Sequence, residues 1–158
     1  DKSPEKLNLS LKEMKEIFYD HKTPNSPLNA SKRQKPFIEK AIKEKEYDFL
    51  MCCAAKSIAT VTSDGYLVPC ISLRIREKSN DLRNYGVKRI WENDSFFKQI
   101  RNIKFEDNKK CSVCKLLPYC NRCIGTFFIN TGSVNVPNKL TCKNAKFTAR
   151  LLAEEKSR

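Results

Sequence analysis

From Ser10 onward the apolar residues fall three and four apart. Ser10-Leu11-Lys12-Glu13 matches a capping box, with Ser10 as N-cap and Glu13 reaching back. Leu11, Met14, Ile17 and Phe18 then share one helical face. Prolines, Asn and Ser over residues 20–31 interrupt the pattern and predict a loop. A second helix is expected from about Lys35 to Lys45, with Pro36 in its first turn and Phe37, Ile38 and Ile42 facing inward. The character changes at about Leu50. Ile58, Val61 and neighbouring threonines suggest a strand, and Tyr66-Leu67-Val68 a return strand. Between them Asp64-Gly65 predicts a two-residue turn, because both positions tolerate positive φ. Pro69 should end the return strand or confine it to an edge. Leu82 to Ile103 is apolar at helical spacing, with Asp94 as an N-cap between two short helices. Trp91, Phe96 and Phe97 within it are expected to pack the core. Residues 104–125 read as a compact loop, Asn130 to Asn138 as turn-rich. Leu140 to Glu155 is a closing helix with Ala145, Ala149 and Leu152 on one face. The fold class is therefore small α+β: a β-hairpin, short helices and loops, preceded by a helical N-terminal connector.

Composition narrows this only slightly. The chain has 158 residues, 40% hydrophobic, enough for a modest core. No apolar run approaches a bilayer span, and no signal peptide is visible. The chain opens at Asp1 rather than Met, so a fragment is expected, with room for a targeting segment upstream; the expected location is cytoplasmic. The formal charge of +13 would suit nucleic acid or an acidic partner. The basic residues are dispersed, however, so a solvated basic surface is the preferred reading. Neither nucleic acid nor membrane is the expected partner.

The eight cysteines change the picture most. Six are bunched: Cys52-Cys53, then Cys111, Cys114, Cys120 and Cys123. Cys70 and Cys142 complete the set. Disulfides would suit a secreted protein with cysteines in distant loops. Pairs two residues apart instead turn two thiolates toward one metal centre. Thiolates are soft, which restricts the guests to iron–sulfur clusters, zinc and copper(I). The one histidine, His21, is far from the group and reads as a surface residue. Zinc ribbons usually separate their two pairs by about 15–20 residues, whereas here the gap from Cys114 to Cys120 is short. Iron–sulfur proteins often hand the last cysteine of a dense run to a different cluster, which suits a run of four with outliers on both sides. The hairpin should also bring Cys52 or Cys53 near Cys70. Two [4Fe–4S] clusters would lower the formal charge to about +9.

The order Cys52, Gly65, Cys70, then Cys111, Cys114, Cys120, Cys123, then Cys142 resembles the SPASM domain, the cysteine-rich C-terminal extension of many radical-SAM enzymes. Cys52-Cys53-Ala54-Ala55 resembles that family's Cys-x-Ala-Gly opening, and Ser63 to Cys70 its hairpin. Ile90-Trp91-Glu92-Asn93 with Phe96, Phe97 and Arg101 also fits. The last gap of the run, Asn121-Arg122, is one residue shorter than the signature. The cysteine that some members carry about six residues before the first is missing near Glu46, Tyr47 and Asp48. The likeness covers roughly residues 50–158. It divides the chain into a connector or barrel end at 1–48 and a twin-cluster domain at 49–158.

The resemblance implies two auxiliary [4Fe–4S] clusters. Cys52, Cys70 and Cys123 would hold the first; Cys111, Cys114, Cys120 and Cys142 would fully ligate the second. The first cluster either keeps an open iron or is closed by Cys53 or a carboxylate such as Asp48. Neighbouring side chains in an extended backbone point to opposite faces, which argues against Cys53. No Cys-x3-Cys-x2-Cys spacing occurs, so S-adenosylmethionine and a third cluster are expected only in an N-terminal part, and this chain alone should not be active. The implied function is substrate binding or electron transfer in an enzyme that modifies a peptide or protein, with its own radical-SAM barrel as a further partner. The alternative is a zinc-stabilised basic module contacting nucleic acid or an acidic partner. If the chain is metal-free, the cysteine loop should be disordered or disulfide-bonded.

Overall fold

The computed structural model describes residues 10–18, 27–47, 52–75 and 80–157. His21, Asp48, Leu50, most of the predicted 20–31 loop and the side chains of Leu11, Ile17 and Phe18 lie outside the described residues. The fold is small α+β: among the described residues, seven helices and a three-stranded antiparallel sheet.

Helix α1 spans Leu11–Phe18 and begins with the expected reciprocal cap. The Glu13 amide donates to Ser10 Oγ at 3.2 Å, and the Ser10 amide donates to Glu13 Oε2 at 2.7 Å. These bonds hold the Glu13 carboxyl below its usual pKa. Helix α2 spans Pro27–Glu44, so it starts about eight residues before the predicted position and runs through Pro36. Tertiary burial explains the difference. Leu28, in the segment predicted as loop, is fully buried and packs with Leu151 and Leu152. That contact offsets the one ladder bond lost at Pro36. The inward face also shifts: Ala41 is buried, whereas Phe37 and Ile42 are exposed, contrary to the predicted face.

Strand β1 (Thr60–Val61) pairs antiparallel with β2 (Tyr66–Val68), with Thr60 opposite Val68 and Val61 opposite Leu67. The turn differs from the two-residue prediction. The Thr62 amide donates to the Tyr66 carbonyl at 2.9 Å and the Gly65 amide to the Thr62 carbonyl at 2.9 Å, which makes a three-residue loop. Only Gly65 takes positive φ, at 85°, as such a loop requires. Strand β2 ends before Pro69 as expected. It is central, however, because β3 (Asn80–Asp81), not foreseen in the sequence, pairs on its other side.

Helices α3 (Val87–Asn93) and α4 (Ser95–Arg101) meet at Asp94, whose Oδ1 accepts the Phe97 amide at 2.8 Å. Residues 104–125 are more ordered than a loop. They hold 3-10 turns at Phe105–Asp107 and Leu117–Tyr119, the short α5 (Lys109–Ser112) and the start of α6 (Ile124–Thr131). Helix α7 spans Lys139–Lys156. The larger apolar core joins Leu67, Leu73, Ile90, Phe96, Phe97, Ile100 and Ile124, with Trp91 packed against it. Trp91 and Phe97 meet edge to face at 5.9 Å between centroids. A smaller core joins α2 to α7 through Leu28, Leu151 and Leu152, flanked by Tyr119 and Phe147.

Candidate metal centres

All eight cysteines are unbridged, and folding sorts them into two groups. Cys52 has Cys53, Cys70 and Cys123 as its thiol neighbours, and Cys70 has Cys123 and Cys53. Cys111 has Cys114 and Cys142, and Cys120 has Cys111, Cys142 and Cys114. The run of four is thus split: Cys123 leaves its sequence neighbours and joins the hairpin cysteines.

The first group is mounted on the larger core, against which Cys52 and Cys70 pack. A tight turn follows Cys52. The amides of Lys56, Ser57 and Ile58 all converge on the Cys53 carbonyl at 3.1–3.3 Å, and the Ala55 amide is shared between the carbonyls of Ile58 (3.0 Å) and Pro69 (3.3 Å). Ala55 itself sits at φ 57°, a left-handed conformation that glycine adopts without strain. This is the position where the resembled opening carries Gly. Arg101 clamps the turn to the helices: its Nε donates to the Ala55 carbonyl at 2.9 Å and its Nη2 to the Trp91 carbonyl at 2.7 Å. Its guanidinium also lies 5.2 Å from the Trp91 ring centroid.

Cys70 precedes the 3-10 turn Ile71–Leu73, so the Ser72 and Leu73 amides point toward its sulfur without closing a full cap bond. Cys123 precedes α6, and its carbonyl accepts the Phe127 amide at 3.1 Å and Thr126 Oγ1 at 2.9 Å. Gly125 makes the meeting of these two cysteines possible. A Cβ there would stand 2.5 Å from Ser72 Cβ and 2.6 Å from the Ser72 carbonyl oxygen, so only glycine lets α6 approach the Cys70 turn this closely. Burial pushes the Cys52 and Cys70 thiols up, opposed by amides pointing at each sulfur. For Cys52 that amide is Ala54, 3.5 Å from Sγ.

Cys53 is exposed but belongs with this group. Its carbonyl accepts the three amides of the tight turn.

The second group rests on short turns. Asn108 caps α5 and accepts the Cys111 amide at 3.2 Å. The Cys114 amide donates to the Cys111 carbonyl, and the Cys120 amide to the Leu117 carbonyl, both at 3.1 Å. Cys142 comes from the first turn of α7. Asn138 caps that helix by accepting the Thr141 amide at 2.7 Å and donates to the Thr126 carbonyl at 3.2 Å, which fixes α7 to α6. Burial, then the nearby Cys111 and Cys142 thiols, push Cys120 up to about 11. Arg122 pulls the other way on both Cys111 and Cys120, and its guanidinium lies 4.7 Å from the Phe105 ring centroid.

The donors in both groups are thiols. Among the described residues no three His, Cys, Asp or Glu side chains converge as a single metal ion requires. Soft thiolates in either group suit iron–sulfur clusters, zinc or copper(I). Gly125, Asn108, Asn138 and Arg122 were not singled out by sequence reasoning. A glycine two residues after the last cysteine of the run, and Asn three residues before Cys111 and four before Cys142, were the available signals.

No curated protein and no solved structure matches the chain. A family model does match residues 52–124, a stretch that begins at Cys52, ends one residue past Cys123 and leaves Cys142 outside. That model describes SPASM, an iron–sulfur cluster-binding domain, and residues 52–124 are similar to it.

Proposed function

We propose that this chain is the auxiliary-cluster part of a radical-SAM enzyme that modifies a peptide or protein. Cys52, Cys70 and Cys123 hold a first [4Fe–4S] cluster, with Cys53 as fourth ligand or an open iron for substrate. Cys111, Cys114, Cys120 and Cys142 hold a second, fully ligated one. The sorting of the thiols into two groups, with Cys123 crossing to the first, carries this reading. Bound clusters would supply one-electron redox chemistry and, at an open iron, a Lewis-acidic position. The chain's own part is to present the thiols, aim amides at Cys52 and Cys70, and exclude water around Cys111 and Cys120. S-adenosylmethionine and its cluster would belong to a barrel on the N-terminal side.

Anaerobic reconstitution followed by iron and sulfide quantification tests the reading. About eight iron per chain with matching sulfide is expected. A colourless protein with stoichiometric zinc after the same treatment would refute it. In Cys53→Ala, an altered first-cluster EPR signal identifies Cys53 as the fourth ligand; a signal unchanged there and also in Asp48→Ala identifies an open iron.

A further inference from the structure

A cleft of about 540 Å³ opens beside Cys142. Five cations line it: Lys110 from α5, and Lys139, Lys143, Lys146 and Arg150 from α7. On α7 they recur at intervals of four, three and four residues, so they form one stripe along a single helical face. All five are exposed, no carboxylate lines the cleft, and none of the five forms an ion pair among the described residues. The acids of α7 lie at its far end, where Glu154 pairs with Lys15 and Glu155 with Lys32. The basic residues that look dispersed in the sequence are thus gathered here without neutralisation.

Cys142 sits within this stripe and is exposed, although its thiol partners Cys111 and Cys120 are more enclosed. Of the two exposed thiols in the second group, Cys114 and Cys142, only Cys142 lines the cleft. We propose that the stripe is the docking surface for an acidic one-electron carrier protein, and that Cys142 is where the electron crosses. This rests on the cluster assignment above. In the step the carrier is oxidised by one electron as the cluster is reduced by one, or the reverse, and no atom is transferred. The stripe is about 16 Å long, which fits a protein surface better than a small anion. Its lining aromatic, Phe147, packs on the Leu28–Leu151–Leu152 core instead of offering a face for a base, which disfavours nucleic acid.

The test uses the reconstituted chain and a photoreduced acidic [2Fe–2S] ferredoxin as probe. The variant Lys139→Glu/Lys143→Glu/Lys146→Glu is compared with Lys12→Glu/Lys88→Glu/Lys98→Glu, which changes the net charge equally on other exposed positions. The bimolecular electron-transfer rate should fall about 10- to 100-fold in the stripe variant and with added salt, and less than about 3-fold in the control. If the stripe variant loses iron, Lys146→Glu/Arg150→Glu, farther from Cys142, takes its place. Equal rates in stripe and control variants would overturn the proposal. So would a single-stranded oligonucleotide that binds the stripe more tightly than the ferredoxin. A chain that takes up no iron or sulfide refutes the cluster assignment and the docking with it. A loaded chain indifferent to charge reversal refutes the docking alone.

Discussion

The two thiol groups are built in different ways. The first stands on the larger core: Cys52 and Cys70 pack against Leu67, Leu73, Phe97 and their neighbours, and Arg101 ties the Cys52 turn to α3 and α4. The second is held by the one-turn α5, the 3-10 turn Leu117–Tyr119 and the first turn of α7, with Asn caps at Asn108 and Asn138. Apolar burial stabilises the first frame at about 25 cal/mol for each Å² removed from water, whatever the thiols bind. The second frame has mostly local hydrogen bonds, worth about 1 kcal/mol each. The first group is therefore pre-formed by packing, and the second would depend more on the proposed guest.

Iron removal should expose this contrast most strongly. After anaerobic chelation, amides of residues 109–120 are expected to lose hydrogen-exchange protection by about 100-fold, and those of α3 and α4 by less than about 10-fold. Equal losses would erase the distinction.

Gly125→Ala should damage the first centre selectively. The added methyl meets the Ser72 backbone, so α6 must shift, at a cost of about 2 kcal/mol. Iron content should fall by about half with the second cluster's EPR signal retained; full iron content would show that Cys123 does not depend on this close approach. Arg101→Ala leaves two carbonyls without their charged donor and should lower stability by about 2 kcal/mol in denaturant titration. A change under about 0.5 kcal/mol would mean that the turn holds without its clamp.

The smallest effect is expected at Arg122. Its charge faces Cys111 and Cys120, so Arg122→Gln should make the second cluster harder to reduce by on the order of tens of millivolts and leave the first unchanged. Redox titration followed by EPR reads both. A shift confined to the first cluster would reverse the assignment of Arg122.

The local devices were legible in the chain. The Ser10–Glu13 cap, the Asp94 cap, the end of β2 before Pro69 and helix α7 all follow from residue chemistry acting within a few positions. The cysteine spacing and the family likeness were legible for the same reason. Elements decided by distant contacts were not. Leu28 extends α2 because it meets Leu151, and β3 exists because β2 has a free side. Phe37 and Ile42 share an apolar stripe in the sequence, yet no distant partner covers them among the described residues.

The sequence by itself determined which atoms are available: eight thiols, their spacing, and the caps and turns around them. Only the tertiary structure decided which thiols face one another, because that depends on α6 closing against Ser72 across Gly125, and α7 being fixed to α6 by Asn138. It also decided that cations spaced along α7 form one uncompensated stripe beside Cys142. Local chemistry acts over a turn or two, and both thiol groups are assembled from segments tens of residues apart.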